Sequence, residues 1–346
     1  MNKYRESFSP QMLVIFAAVT LAIMALCVST GSVRVPTADI ILLLAQSIRG
    51  IPISADRASS SIILSVRLPR VICVALTGTS LSICGGAMQG LLRNPLADGS
   101  TLGVSSGASL GAVIAIAFGI TIPGIPFAGT VIMAMLFAFI SLIIILSLAY
   151  RLDYSLSTNT IILIGVIYSM FVSSIIAFIT VLASERVKQI TFWTMGSLSG
   201  SSFSNALTLA IALIICGGVI MALTRELNAF AVGEDNARHI GVNVERVKLI
   251  ILAAVSALIG VCVSIGGTIG FVGLVTPHMI RMISGPNHKR LLPACAFGGA
   301  VFLMLADLAA RIMLNPLELP IGVVTSFTGA LLFIYIFYTT RRKTNA

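Results

Sequence analysis

Charge is what this chain has least of. Only 10% of its 346 residues are Asp, Glu, Lys or Arg, while 57% are hydrophobic, a balance that excludes an ordinary soluble domain. Acidic residues are scarcer than basic ones, 12 against 22. A carrier that relays ions through a bilayer uses buried carboxylates, and the apolar windows offer one clear candidate, Asp307. No GxxxxGK[ST] phosphate loop and no HExxH motif occurs, so the chain shows no apparatus of its own for these hydrolytic chemistries. The six cysteines, Cys27, Cys73, Cys84, Cys216, Cys262 and Cys295, lie in apolar windows without CxxC or Cys/His spacing. They read as small buried hydrophobes, and no cofactor or metal is expected.

What is present is a series of long uncharged windows. A hydrocarbon core about 30 Å thick takes roughly 20 apolar residues per helix, so each window counts as a span. Residues 11–30 give the first. This window is too long for a cleaved secretory signal and lacks a clear small-residue cleavage site, so it is expected to be retained. After a polar segment at 31–66 come a second window at about 71–92 and an uncharged stretch at 99–150. The latter is too long for one helix and is expected to break at the "TIPGIP" of 121–126 into spans three and four. The remaining spans are expected at about 156–183, 203–224, 247–266, 271–284, 291–310 and 320–340, the eighth being short. The expected fold is an all-α polytopic membrane protein with about ten transmembrane helices, residues 1–346 forming one transmembrane domain.

An even number of crossings puts both termini on one side, and the basic residues choose that side. With the termini in the cytoplasm, 14 of the 22 Lys and Arg lie inside, as the positive-inside tendency favours. Arg67 and Arg70, in "SVRLPR" at 65–70, then open the second span from the outer face, against that tendency. The net charge of +10 admits nucleic acid or anionic lipid as partner. No nucleic-acid module is recognisable and the charges are scattered over short loops, so membrane lipid is the partner expected.

Several segments stand out within this frame. "GVSSGASLG" at 103–111 spaces Gly103, Gly107 and Gly111 four apart on one helical stripe, which suits close helix packing or contact with a substrate. "GGTIGFVGLVTP" at 266–277 predicts broken or re-entrant backbone, tolerated at membrane depth only where protein or a water-filled cavity covers it. The loop at 225–248 predicts a short helix, a turn capped by Gly241, and a second short helix entering span seven. It is either a solvated loop or a structured knob for docking another protein. Asp307 and Arg311 are four apart, which predicts an ion pair within span nine. His278, in "TPHMIR", is either a structural histidine or a ligand for haem or metal.

Taken together, "RLPR" at 67–70, "GAMQGLLRNPLADGSTLGVSSGASLGA" at 86–112, "GEDNARHIGVN" at 233–243, "GFVGLVTPHMIR" at 270–281 and "ELPIGVVTSFTGALLFI" at 318–334 resemble the permease subunits of type II ABC importers for iron–siderophore complexes, haem and cobalamin. They recur in family order along nearly the whole chain. The resemblance implies a cobalamin-importer-permease-like fold and a transmembrane dimer with a second permease subunit, identical or paralogous. It also implies two cytoplasmic ATPase subunits, an extracytoplasmic substrate-binding protein, and no enzymatic activity in the permease itself.

The same resemblance assigns roles to residues. It makes Arg67, Arg70 and Arg311 exposed docking points for acidic residues of the binding protein. Glu234, Asp235, Arg238, His239 and Gly241 become the element that couples to the ATPase. Asn94 and Leu96 of "RNPLAD", with Ser157, Thr158 and Asn159 of "SLSTN", become the cytoplasmic gate, and helices five and ten line the path. The expected function is import of an iron–siderophore complex across the cytoplasmic membrane of a bacterium. Haem or cobalamin import and an ion-coupled secondary transporter are the alternatives.

Overall fold

The computed structural model describes residues 10–31, 62–122, 128–154 and 156–344; the side chains of residues 10, 100, 101, 336, 337 and 339–344 are not described. Lys3 and Arg5, nearly all of the 31–61 segment, most of the "TIPGIP" break and the side chains of Arg341, Arg342 and Lys343 thus lie outside the described residues.

Every predicted span coincides with helix. α1 covers Pro10–Ser29, and a π-helical turn, Ile62–Arg67, runs directly into α2, Leu68–Leu91. α3 (Val104–Phe118), α4 (Ala128–Leu152) and α5 (Thr158–Leu182) follow. An unpredicted short helix, α6 (Val187–Thr194), precedes a rod made of α7 (Phe203–Ala212), a π-helical turn and α8 (Gly218–Ala222). The charged loop folds as α9 (Thr224–Val232) and α10 (Glu234–His239), and α11 (Val244–Gly266), α12 (Val272–Ser284), α13 (His288–Ile312) and α14 (Ile321–Thr344) complete the chain. Seven of these rods are long and apolar enough to cross a membrane unaided; α3 and the apolar part of α14, Ile321–Tyr335, are shorter.

Local signals set the ends. Ser157 accepts the Thr160 amide at the start of α5, Asn243 that of Arg246 at α11, and Asn287 that of Lys289 at α13. Each supplies an acceptor to a first-turn N–H that no helical carbonyl can reach. Gly119, at φ +66°, closes α3.

Two helices are short because they begin inside the bundle. α3 and α12 rise about 22 and 20 Å, less than a bilayer core. α12 starts alongside Leu81 and Gly85 of α2, so close that a Cβ on Gly85 would lie 1.9 Å from the Gly273 carbonyl oxygen. The irregular backbone ahead of it, through Gly267 and Phe271, both at φ +67°, is packed against Trp193 and Gly329. Protein therefore covers backbone that lipid could not tolerate.

α2 is the central post. In its most apolar window 83% of residues are buried, against 11% for α1. In lipid there is little hydrophobic drive between helices, so close approach decides what packs where. Gly78 faces the Gly299 carbonyl of α13 and Gly85 faces Gly273 of α12. Large apolar side chains of α1, α4 and α5, such as Leu21, Ile143 and Phe171, stay exposed. All six cysteines are free thiols; five are buried and Cys216 is half-buried.

Candidate functional site

The two ends of the bundle carry different polar structures. At one end the expected exposed arginines are buried: Arg67, Arg70 and Arg311 are 5%, 7% and 3% exposed. The reason is Asp307, itself 1% exposed, which sits between two of them. Arg70 donates from Nε to Asp307 Oδ1 at 3.0 Å and from Nη1 to Glu318 Oε2 at 2.8 Å. Arg311 Nε lies 3.0 Å from Asp307 Oδ2, an ion pair whose angle falls outside hydrogen-bond geometry. The predicted i,i+4 pair thus exists, but as part of a network that also reaches α2 and the segment before α14.

The remaining donors of this cluster close a helix end. Arg67 Nη1 donates to the carbonyls of Val28 and Ser29 at 3.2 and 3.3 Å, and Arg311 donates to those of Cys27 and Thr30 at 3.1 Å each. These belong to the last turn of α1, where carbonyls have no helical partner and carry partial negative charge. Among the described residues, these three basic groups are therefore held at low exposure by two carboxylates and one helix C-terminus.

At the opposite end, α9, α10 and the turn after them form the predicted knob. Gly233, at φ +125°, breaks α9 from α10, and Gly241, at φ +89°, ends α10. The Gly241 amide donates to the Arg238 carbonyl at 2.9 Å and the Val242 amide to that of Ala237 at 3.0 Å, the bond pair of a Schellman motif. Arg238 bridges Glu245 at 2.7 Å and Asp235 at 3.4 Å. The hydrogen bond to Glu245, more than the neighbouring charges, raises the Arg238 pKa. Asp235, His239 and Ile240 remain exposed, so the knob is a rigid shape with a solvent-facing tip. Gly241→Ala is expected to cost about 1 kcal/mol, the strain of a left-handed Cβ. Amide hydrogen exchange should accelerate across 233–243, and unchanged exchange would count against the motif.

Beside the knob lie the two predicted gate loops. Asn94 accepts the Leu96 amide through its side chain at 2.9 Å, leaving Leu96 53% exposed. The chain then climbs back along α2, so that Asp98 abuts Gly273 inside the bundle. In the other loop, Asp153 Oδ2 accepts the Ser157 amide and the Thr160 hydroxyl, each at 3.1 Å. Ser157 and Thr158 are half-buried and Asn159 is exposed at the first turn of α5. Sequence reasoning missed Lys248: its ammonium is fully buried and bonds Glu234 of the knob and the Leu156 carbonyl of this loop. Its position in the first turns of span seven, within a string of other charges, gave no sign that it points inward.

Between the ends the cavities carry little charge, Asp98 being the one ionisable side chain among the described residues that line them. A shallow cavity of about 440 Å³ on α5 is bordered by Val166, Ser169, Met170, Ser173 and Ser174. A second, of about 310 Å³, is lined by Asp98, Ser105, Ser106, Ser109, Ser173 and Thr268 among others. The glycine stripe serves packing: a Cβ on Gly107 would meet Ser141, one on Gly111 the Met133 carbonyl, both on α4, while Gly103 is the left-handed cap ahead of α3. Gly103–Gly107 also has the GxSxG spacing of a nucleophile elbow, but a 3₁₀ turn rather than a strand precedes it. His278 packs edge-on to Phe333 of α14, ring centroids 6.3 Å apart.

The chain matches the model of the FecCD transport family over residues 19–339. It is 40% identical to the uncharacterized ABC transporter permease protein YvrB of Bacillus subtilis over 89% of this chain and 88% of that one. It is 36% identical to the cobalamin import system permease protein BtuC of Halobacterium salinarum over 80% of this chain and 73% of that one. A solved metal-chelate type ABC transporter in an inward-facing conformation superposes with a TM-score of 0.83 at 28% identity, covering 96% of this chain and 100% of that one.

Proposed function

Because the chain belongs to the FecCD transport family and is the membrane permease of a type II ABC importer, we propose that it passes an iron–siderophore complex inward across the cytoplasmic membrane, paired with a second permease subunit. The observation that carries this reading is the α5 face, where the wall offers only hydroxyls, a thioether and aliphatic groups. Such a wall lets a bulky, screened chelate slide past without being trapped. A small oxyanion would call for cationic donors, which this face does not provide.

Energy comes from outside the chain. Two ATPase subunits receive the tip of the knob at Glu234, Asp235, Arg238, His239 and Gly241. Their closure on ATP moves the knob, and the loops holding Asn94, Leu96, Ser157, Thr158 and Asn159 open or close the inner end of the path. A loaded binding protein docks at the end bearing Arg67, Arg70 and Arg311. Since these arginines are already engaged, an acidic residue of the binding protein reaches them by competing for the bond from Arg70 to Glu318, whose carboxylate is 33% exposed. Charge at such a rim sets encounter rate and orientation more than affinity.

The test is uptake by the complete transporter in proteoliposomes, with ferric siderophore, haem, cobalamin and molybdate offered in parallel. ATP-dependent accumulation of the ferric chelate is expected. Preference for another cargo would overturn the substrate assignment. Uptake driven by a proton or sodium gradient without the ATPase would overturn the class.

A further inference from the structure

Lys248 stands in the second turn of α11 with no exposed surface. Its Nζ donates to the Glu234 carboxylate at 2.8 Å and to the Leu156 carbonyl at 2.9 Å. The first acceptor opens α10, the helix at the tip of the knob. The second immediately precedes Ser157, the cap of α5, so whatever moves Leu156 moves the first turn of the helix whose face carries the neutral wall. Leu156 is itself buried and held at φ +50°, a backbone conformation that costs a leucine free energy unless its surroundings enforce it.

The chemistry of the contact makes it a tie rather than filler. A buried ammonium is tolerated only while its partners stay in place, and removing one leaves an uncompensated charge. If α10 moved and the α4–α5 loop did not, Lys248 would lose either Glu234 or the Leu156 carbonyl, so the loops are bound to move together. A backbone carbonyl as acceptor links the lysine to the position of the chain rather than to a side chain that could swing. Two packed apolar groups could slide past each other at little cost. This pair of charge-assisted bonds cannot.

We propose that Lys248 is a positioning residue that ties the coupling knob to the α4–α5 gate loop, so that displacement of α10 by the ATPase reaches Ser157, Thr158 and Asn159 without slack. This rests on the coupling role given to the knob above. Lys248→Met in the reconstituted full transporter, with the ATPase and the binding protein, should lower the substrate imported per ATP hydrolysed about tenfold, in the range of ordinary site-to-site coupling. The ATPase should still co-purify, and Lys248→Arg should restore most of the ratio. An unchanged ratio overturns the proposal, as does a loss of import that only follows loss of the ATPase.

If Lys248→Met fails to accumulate, Glu234→Gln decides, because it keeps the lysine and its bond to Leu156 while weakening the other arm. Because Glu234 also belongs to the surface offered to the ATPase, a lowered ratio in that variant supports the tie only when the ATPase still co-purifies and the spin-label distances described next broaden as well; an unchanged ratio overturns it. A second measurement needs no ATPase. Spin labels at Tyr154→Cys and Ile240→Cys, both native side chains being 72% exposed, are placed on a Cys216→Ser background in the permease. Their distance distribution should be narrow while Lys248 is present and broad once Lys248→Met is added. Equal widths overturn the tie whether or not the knob couples to an ATPase. A broad distribution beside an unaltered import ratio would place the fault in the coupling role.

Discussion

Asp307→Asn is expected to destabilise the folded protein by about 3–5 kcal/mol, the usual cost of stripping one partner from a buried ion network. The substitution preserves shape, so the loss measures charge. Asp307 is 1% exposed and lies 3.0 Å from both Arg70 and Arg311. Without it, among the described residues Arg70 keeps the Glu318 carboxylate while Arg311 keeps no carboxylate, only the carbonyls of Cys27 and Thr30. A thermal or denaturant transition of the purified permease in detergent would read the loss. The double variant Asp307→Asn with Arg311→Met should fall short of the summed single losses by at least about 1 kcal/mol, because the second change removes the charge that the first leaves unpaired. Simple additivity would show that the two side chains do not depend on one another.

Gly85→Val should be nearly as severe for a different reason. The Cβ that any side chain adds at this position would stand 1.9 Å from the Gly273 carbonyl oxygen and 2.5 Å from the Gly273 Cα. Both obstacles are backbone, so no rotamer change relieves the clash and α12 must move off α2. Overpacking ordinarily costs about 1–3 kcal/mol, and a clash between two helix backbones belongs at or above the upper end. The expected result is loss of the protein from the membrane fraction, measured by immunoblot against Gly200→Val. Gly200 has open space around its Cα, so that variant should accumulate normally. Equal accumulation of the two would mean that α2 and α12 are not in such close contact.

These two residues illustrate what was legible beforehand. Span positions follow from length and charge avoidance, which are local properties, and each of the ten expected windows is helical. The knob was equally readable, because a glycine turn, its cap and the polar helices that flank it all lie within 24 consecutive residues, 225–248. The glycine stripe at 103–111 announced close packing of α3, although not which partner each glycine would face.

What escaped was direction and distant partnership. Arg67 and Arg70 were placed correctly at a bundle end, yet a charge at a helix start looks the same whether it faces solvent or a carboxylate 237 residues later. Lys248 escaped for the same reason, since neither acceptor lies within one helical turn of it. Asp98 falls in "RNPLAD", between two apolar windows; only the fold reveals that this loop re-enters the bundle. The late start of α3 likewise depends on what covers the backbone, decided by residues far away in sequence, whereas the short eighth span and the broken backbone before it were legible in "GGTIGFVGLVTP".

The last turn of α1 has an implication for biogenesis. Its free carbonyls are satisfied by Arg67 and Arg311, and 284 positions separate Cys27 from the latter. A ribosome delivers the first helix to the membrane long before the second of its two arginines exists. Until then α1 waits beside the nascent bundle with part of its end hydrated at the lipid headgroups, and joins the assembly when the ninth span arrives. The first helix made is thus among the last to be fastened, and a chain cut short before Arg311 would leave it loose.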